Sequence, residues 1–207
     1  MKAFHGDEKL KSALLEEITK HEKADAIVQR HYGKQNGEWK GCAVACSLRS
    51  LAITRKETLK ERYDEHERYE SDLGIPLTLA FLEDKLFEGM TAEDAKTFPR
   101  RFIEAIPVGA DLSLVSPKFM VFILNDTLKN FSHDKNPQVV KVVKDVIAIW
   151  EGVINGTLEG KRLENAAWSA AWSAESAAWS TEWSAARAVY KRFADYLLTL
   201  LSSVVAS

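Results

Sequence analysis

The chain has 207 residues, nearly half of them apolar, with 28 lysines and arginines against 30 aspartates and glutamates. The net charge of −2 excludes a global electrostatic pull towards nucleic acid or an anionic membrane. Two cysteines are too few for a disulfide framework, so reduced thiols are expected. No run approaches the roughly 18 apolar residues of a spanning helix, and Met1–Glu8 lacks the apolar core of a signal peptide. A cytoplasmic protein with no membrane partner is expected. The length suits one domain, residues 1–207, able to bury a sizeable core.

Nearly every segment reads as helix, and the spacing predicts an all-α helical array. Leu10, Leu14, Ile18, Ala24, Ile27 and Val28 recur at helical intervals, predicting a helix from Asp7 to about His31 with Gly33 as its stop. The polar stretch Gly33–Gly41 reads as a loop, and Cys42 to Leu51 as a buried helix or a strand, helix being favoured. Thr58 to Leu73 is densely charged and predicts a helix ended by Gly74. Pro76 opens another that runs to Phe87. Thr91 with Asp94 marks the next helix start, and Pro99 is placed to break that helix. Ile106–Asp111 is a turn. Ser116-Pro117 and Asn136-Pro137 each read as a cap followed by proline in the first helical turn. Residues 1–90 thus carry paired polar side chains, and residues 91–207 form an array closed by a last long helix.

That last helix carries an 11-residue repeat. Ala166–Ser176 is followed by Ala177–Arg187, and a degenerate third copy begins at Ala188. Eleven residues make three turns plus about 20°, so Trp168, Trp172, Trp179, Trp183 and Tyr190 share one face. Four indoles on one stripe require a large apolar partner surface. A helix from Leu163 to Leu201 would be about 55–60 Å long, beyond the roughly 43 Å diameter of a compact globule of this size. It must overhang and pair with a second copy in a homodimer, or break, or run beside another long helix. Glu175, between Trp172 and Trp179, is expected to pair with Arg100, Arg101 or Arg192, or to be an acid of raised pKa.

Candidate chemistry lies in three pairs of ligand-type residues four apart: His21 with Asp25, Cys42 with Cys46, and His66 with Glu70. On a helix such pairs point the same way and can hold one divalent metal ion or one reacting atom. Each has a plainer reading. His21/Asp25 and His66/Glu70 sit among solvated charges, and the two cysteines sit among small buried hydrophobes. The functional reading makes His21, Asp25, Cys42, Cys46 and His66 metal ligands. Cys42, at a helix start, becomes a thiolate nucleophile, with His66 as a base and Glu70 orienting it. Phosphate-cradling glycine loops, nucleophilic triads and nucleic-acid codes have no counterpart here.

The segments His21-x2-Ala24-Asp25, Gly41-Cys42-x3-Cys46, His66-x2-Tyr69-Glu70 with Gly74-Ile75-Pro76, Leu82-Glu83-Asp84 with Phe87-Glu88-Gly89, and Pro107-x-Gly109-Ala110-Asp111 carry a resemblance. Together with the Ala/Trp/Ser tail they resemble a family of uncharacterised bacterial and phage proteins, which implies no mechanism. The tail alone resembles the alanine- and aromatic-rich helix of bacterial immunity proteins. Two functions are therefore expected as alternatives. One is a metal or small-molecule site, with enzymatic action; the other is a non-enzymatic protein that binds a protein partner through its helical surface.

Overall fold

The computed structural model describes residues 1–35, 37–130, 137–157 and 183–206. These residues form eight α-helices, a short 3-10 segment and one two-stranded sheet, an all-α fold as the periodicity predicts. They divide into two compact units, Met1–Ser113 with Arg187–Ser207, and Leu114–Ala186.

In the first unit, helix α1 (Glu8–Lys23) starts where Asp7 accepts from the N–H groups of Lys9 and Leu10. It buries Leu14 and Ile18. It ends well before His31. Asp25 turns into the left-handed region (φ 52°), and residues 26–28 leave the axis to pair with Gly41. Two bonds make that junction, Gly41 N–H to the Ala26 carbonyl and Val28 N–H to the Gly41 carbonyl, each 2.9 Å. Ala26 and Ile27, which the periodicity assigns to a helix, are buried against a strand end instead.

The stretch expected to be a loop is a hairpin. Strands β1 (Tyr32–Gln35) and β2 (Glu38–Gly41) pair antiparallel, Tyr32 opposite Gly41 and Gln35 opposite Glu38. Asn36-Gly37 is a strong hairpin signal in the sequence, masked there by polar composition. Helix α2 (Ala43–Thr54) follows with Cys42 at its cap, and is buried along nearly its whole length. It is the centre of the unit, packing on α1, β2 and two later helices.

The charged run 58–66 is not helical. Lys34 N–H bonds the Glu61 carbonyl and Tyr63 N–H bonds the Tyr32 carbonyl, so this segment lies along β1. Tyr63 is wholly buried, its hydroxyl accepting from Lys60 N–H. Only α3 (Glu67–Leu73) forms, ending at Gly74 with φ 63°. Helix α4 spans Leu77–Gly89 after Pro76. Thr91 then caps α5 (Ala92–Ala105) as expected, accepting from Asp94 N–H and donating to its carboxylate. Pro99 does not break α5; it sits buried inside one continuous helix.

Helix α8 (Trp183–Ser202) completes this unit, burying Phe193, Ala194, Leu197 and Leu201. Gly89 lies flat against Tyr190, where a Cβ would come within 2.4 Å of the ring. In the second unit, α6 (Val115–Asn130) and α7 (Pro137–Ile154) pack on each other and carry the buried side chains Phe119, Ile123, Ile147 and Trp150. Ser116 lies inside the first turn of α6 rather than capping it, while Pro137 opens α7 as expected. Trp168, Trp172, Trp179 and Glu175 lie outside the described residues. Arg100 pairs with Glu22 and Glu104, and Arg101 with Asp195. No helix among the described residues is long and apolar enough to cross a membrane.

Gly74 should be the least replaceable glycine of α3. A Cβ there would meet the Lys2 carbonyl oxygen at 2.2 Å, on top of the left-handed strain, whereas Gly6 (φ 78°) has open space around it. Urea unfolding should show Gly74→Ala costing about 3 kcal/mol or more and Gly6→Ala about 1 kcal/mol. Equal costs would mean that the close approach of the N-terminal segment is not a feature of the fold.

Candidate metal centre

Cys42 is placed by backbone bonds on both sides. Its extended conformation (φ −67°, ψ −177°) caps α2, and its N–H donates to the His31 carbonyl at 2.5 Å. The side chain is 2% exposed. Opposite it, α4 presents Asp84 and Glu88 one turn apart on the same face. Cys42 Sγ and one oxygen from each carboxylate lie within 4.8 Å of one another. Both Glu88 oxygens accept from Arg30 N–H, at 2.9 and 3.1 Å. The Gln29 amide bonds the carbonyls of Phe87 and Met90, which fixes the end of α4 against the same segment.

His66 meets this group through Asp84. Its Nδ1 lies 3.0 Å from the Asp64 carbonyl oxygen, and its ring stacks on Phe81 at 4.7 Å. A carbonyl oxygen only accepts, so Nδ1 carries a proton and a neutral His66 presents a lone pair at Nε2. That lone pair faces Asp84 Oδ2 at 3.6 Å. His66 Nε2 and Asp84 Oδ1 are both buried without a hydrogen-bond partner. A second proton, at Nε2, would make His66 a donor towards Asp84, and the Asp84 carboxylate favours it.

The electrostatics agree. Burial, reinforced by Asp84, pushes the Cys42 thiol well up, and burial does the same to Glu88. The Asp84 carboxylate raises His66. Burial and then Glu88, Asp84 and Cys42 raise the Tyr32 hydroxyl. Burial is the leading cause for Cys42, Glu88 and Tyr32, with the neighbouring carboxylates adding to it, and the Asp84 carboxylate leads for His66. A thiolate at the start of α2 was expected to be favoured by the helix end, but desolvation and a neighbouring carboxylate outweigh that. Without a cation, Cys42 is a thiol and a poor nucleophile.

The six residues expected to form one site do not converge. Cys42 and His66 both adjoin Asp84. His21 lies elsewhere, its ring 5.2 Å from Trp39, whose other neighbour is the Arg49 guanidinium at 4.6 Å. Asp25 falls beyond the end of α1, exposed and paired with Lys96, because the helix that would have aligned it with His21 stops first. Cys46 is fully buried, with Sγ 3.3 Å from the Gly41 carbonyl. Glu70 accepts from Leu77 N–H at 3.3 Å and does not orient His66, since His66 sits at the very start of α3 rather than within a longer helix. The residues missed are Asp84 and Glu88. They form the same four-apart pattern as the other pairs and were passed over inside an apolar helix.

No family model matches the chain, and neither the curated proteins nor the solved structures compared with it gave a match. The functional reading therefore rests on this geometry alone.

His21 gives a pH test of the packing. Burial, and then Arg49, lowers its pKa to about 4 from the usual 6.5. The unfolded chain thus binds a proton that the fold excludes, so the stability is complete above about pH 6.5 and is lost as pH falls towards 4. Denaturation midpoints should drop over that window in the parent chain and drop less in His21→Gln. Parallel curves would place His21 in water rather than against Trp39.

Proposed function

We propose that the chain is a divalent-metal protein whose ion is held by Cys42, Asp84 and Glu88. The observation that carries this reading is the convergence of one thiol and two carboxylates within 4.8 Å, from a helix cap and from a separate helix. One sulfur and two oxygens form a mixed donor set of the kind zinc accepts. Three protein ligands leave a fourth tetrahedral position for water or a small molecule, the arrangement of catalytic rather than structural zinc. His66, with Nδ1 fixed by the Asp64 carbonyl and its pKa raised by Asp84, orients that carboxylate from outside when protonated, its Nε2–H then facing Asp84 Oδ2. An open position favours metal-assisted chemistry on a small molecule over docking of a protein.

The proposal implies a defined titration. Zinc should bind the full chain at one equivalent, more tightly as pH rises, because Cys42 must give up its proton. Cobalt should give a thiolate charge-transfer band that Cys42→Ser abolishes. His66→Phe should weaken binding roughly tenfold to a hundredfold, the usual cost of an outer partner, and Asp84→Asn more. Asp25→Asn and Glu70→Gln should bind like the parent chain. Folded protein without stoichiometric metal, or variants that all bind alike, would overturn the reading.

A further inference from the structure

Beside the proposed metal centre lies a cleft of about 390 Å³, lined by Arg30, His31, Tyr32, Gly33, Lys34, Glu61 and Arg62. Its volume falls in the range of small-molecule sites. Its walls are β1 and the segment 61–63, held together by the Lys34–Glu61 and Tyr63–Tyr32 backbone bonds. Gly33 forms the floor. A Cβ there would lie 2.1 Å from the Glu61 carbonyl oxygen and 3.1 Å from Arg62 Cα, so only glycine allows the two walls this close.

Three cations and one carboxylate line the cleft, two positive charges in excess. The Arg62 guanidinium is oriented from two sides. It stands 5.5 Å over the Tyr32 ring, and its Nε donates to Asp64 at 2.7 Å. Arg30 is held in the left-handed region (φ 62°) while its N–H bonds Glu88. The same short segment, Arg30–Tyr32, therefore lines the cleft and borders the metal group. Tyr32 lines the cleft with its ring under Arg62, and its backbone carbonyl accepts from Tyr63 N–H.

The geometry points to an organic phosphate as the ligand of this cleft, its phosphate among Arg30, Lys34 and Arg62, and the metal position beyond Tyr32. A phosphate monoester carries close to two negative charges at neutral pH, which matches the excess in the lining; a simple carboxylate carries one. Guanidinium groups also suit phosphate oxygens geometrically. The role of this ligand as substrate rests on the metal reading, whereas its binding in the cleft does not.

The test is calorimetric titration of the full chain with phenyl phosphate and inorganic phosphate, with acetate as the comparison, alongside zinc titration of the same samples. Phosphate should bind at one equivalent, at least tenfold more tightly than acetate. Arg62→Gln and Lys34→Gln, both exposed, should each weaken phosphate about tenfold and leave zinc affinity unchanged. Phosphate no tighter than acetate, or variants that bind like the parent, would overturn the cleft assignment. Zinc uptake with no phosphate binding sinks the cleft alone. Phosphate binding with no zinc uptake sinks the metal reading and the substrate role with it.

Discussion

The close approach at Gly41–Cys42 sets the position of everything around the candidate centre. Gly41 donates to Ala26 and accepts from Val28, and Cys42 donates to His31. Three bonds across two residues therefore join the exit of α1, the end of β2 and the start of α2. The approach is possible because Gly41 has no side chain. A Cβ would come within 2.5 Å of the Trp39 ring and 2.9 Å of Ala45. Trp39 is fixed in turn between His21, Arg49 and Tyr63. With the cap of α2 placed this way, the Cys42 side chain is buried against Asp84 and Glu88 of α4.

Helix α4 supplies the other half by using successive residues differently. Glu83 is fully buried and accepts from the Tyr69 hydroxyl at 2.7 Å, while Asp84, the next residue, faces His66. Tyr69 and His66 both belong to α3 and its cap, so two adjacent acids on α4 are each met from the same short helix. Burial raises Glu83 well above the usual carboxylate range, which lets it remain a neutral core group. The Arg55–Asp72 and Arg68–Asp72 pairs on the outside of α3 add little by comparison, since exposed pairs are worth about 0–1 kcal/mol. The buried Tyr69–Glu83 bond, one residue earlier, thus holds the stretch of α4 that carries Asp84.

What could be read from the sequence follows from which forces were local. The all-α class, the Thr91 cap, the opening of α4 after Pro76 and Pro137 at the head of α7 are consequences of short-range spacing and dihedral preference, and they appear where expected. The end of α1, the hairpin and the irregular path of 58–66 are not local. Each depends on backbone bonds to a segment distant in the chain, and the hydrophobic period of residues 24–28 was overridden by pairing with Gly41. The site suffered for the same reason. His21/Asp25 and His66/Glu70 assumed helices that tertiary pairing cut short. Asp84/Glu88, in a helix that does form, kept its alignment. Cys42 was legible as a helix start, though not the desolvation that decides its protonation.

The cost of the cluster is itself an argument about its role. Burial, with the Asp84 carboxylate beside them, disfavours the ionised forms of Cys42 and Glu88, and His66 Nε2 and Asp84 Oδ1 are buried without hydrogen-bond partners. Replacing such groups with apolar residues of similar size is often neutral or stabilising in a protein interior. The Gln29 bonds pin the end of α4, and the Arg30 bonds and charge offset only part of the burial penalty on Glu88. A divalent cation would relieve it at once. It would accept the thiolate and both carboxylates, and oppose the shifts that burial imposes on Cys42 and Glu88. By mass action it would also stabilise the folded chain in proportion to its concentration over its dissociation constant. Other orphaned polar atoms lie in the core, but Cys42, Asp84 and Glu88 are the one group among the described residues whose ligand atoms converge closely enough for a single ion to engage all three.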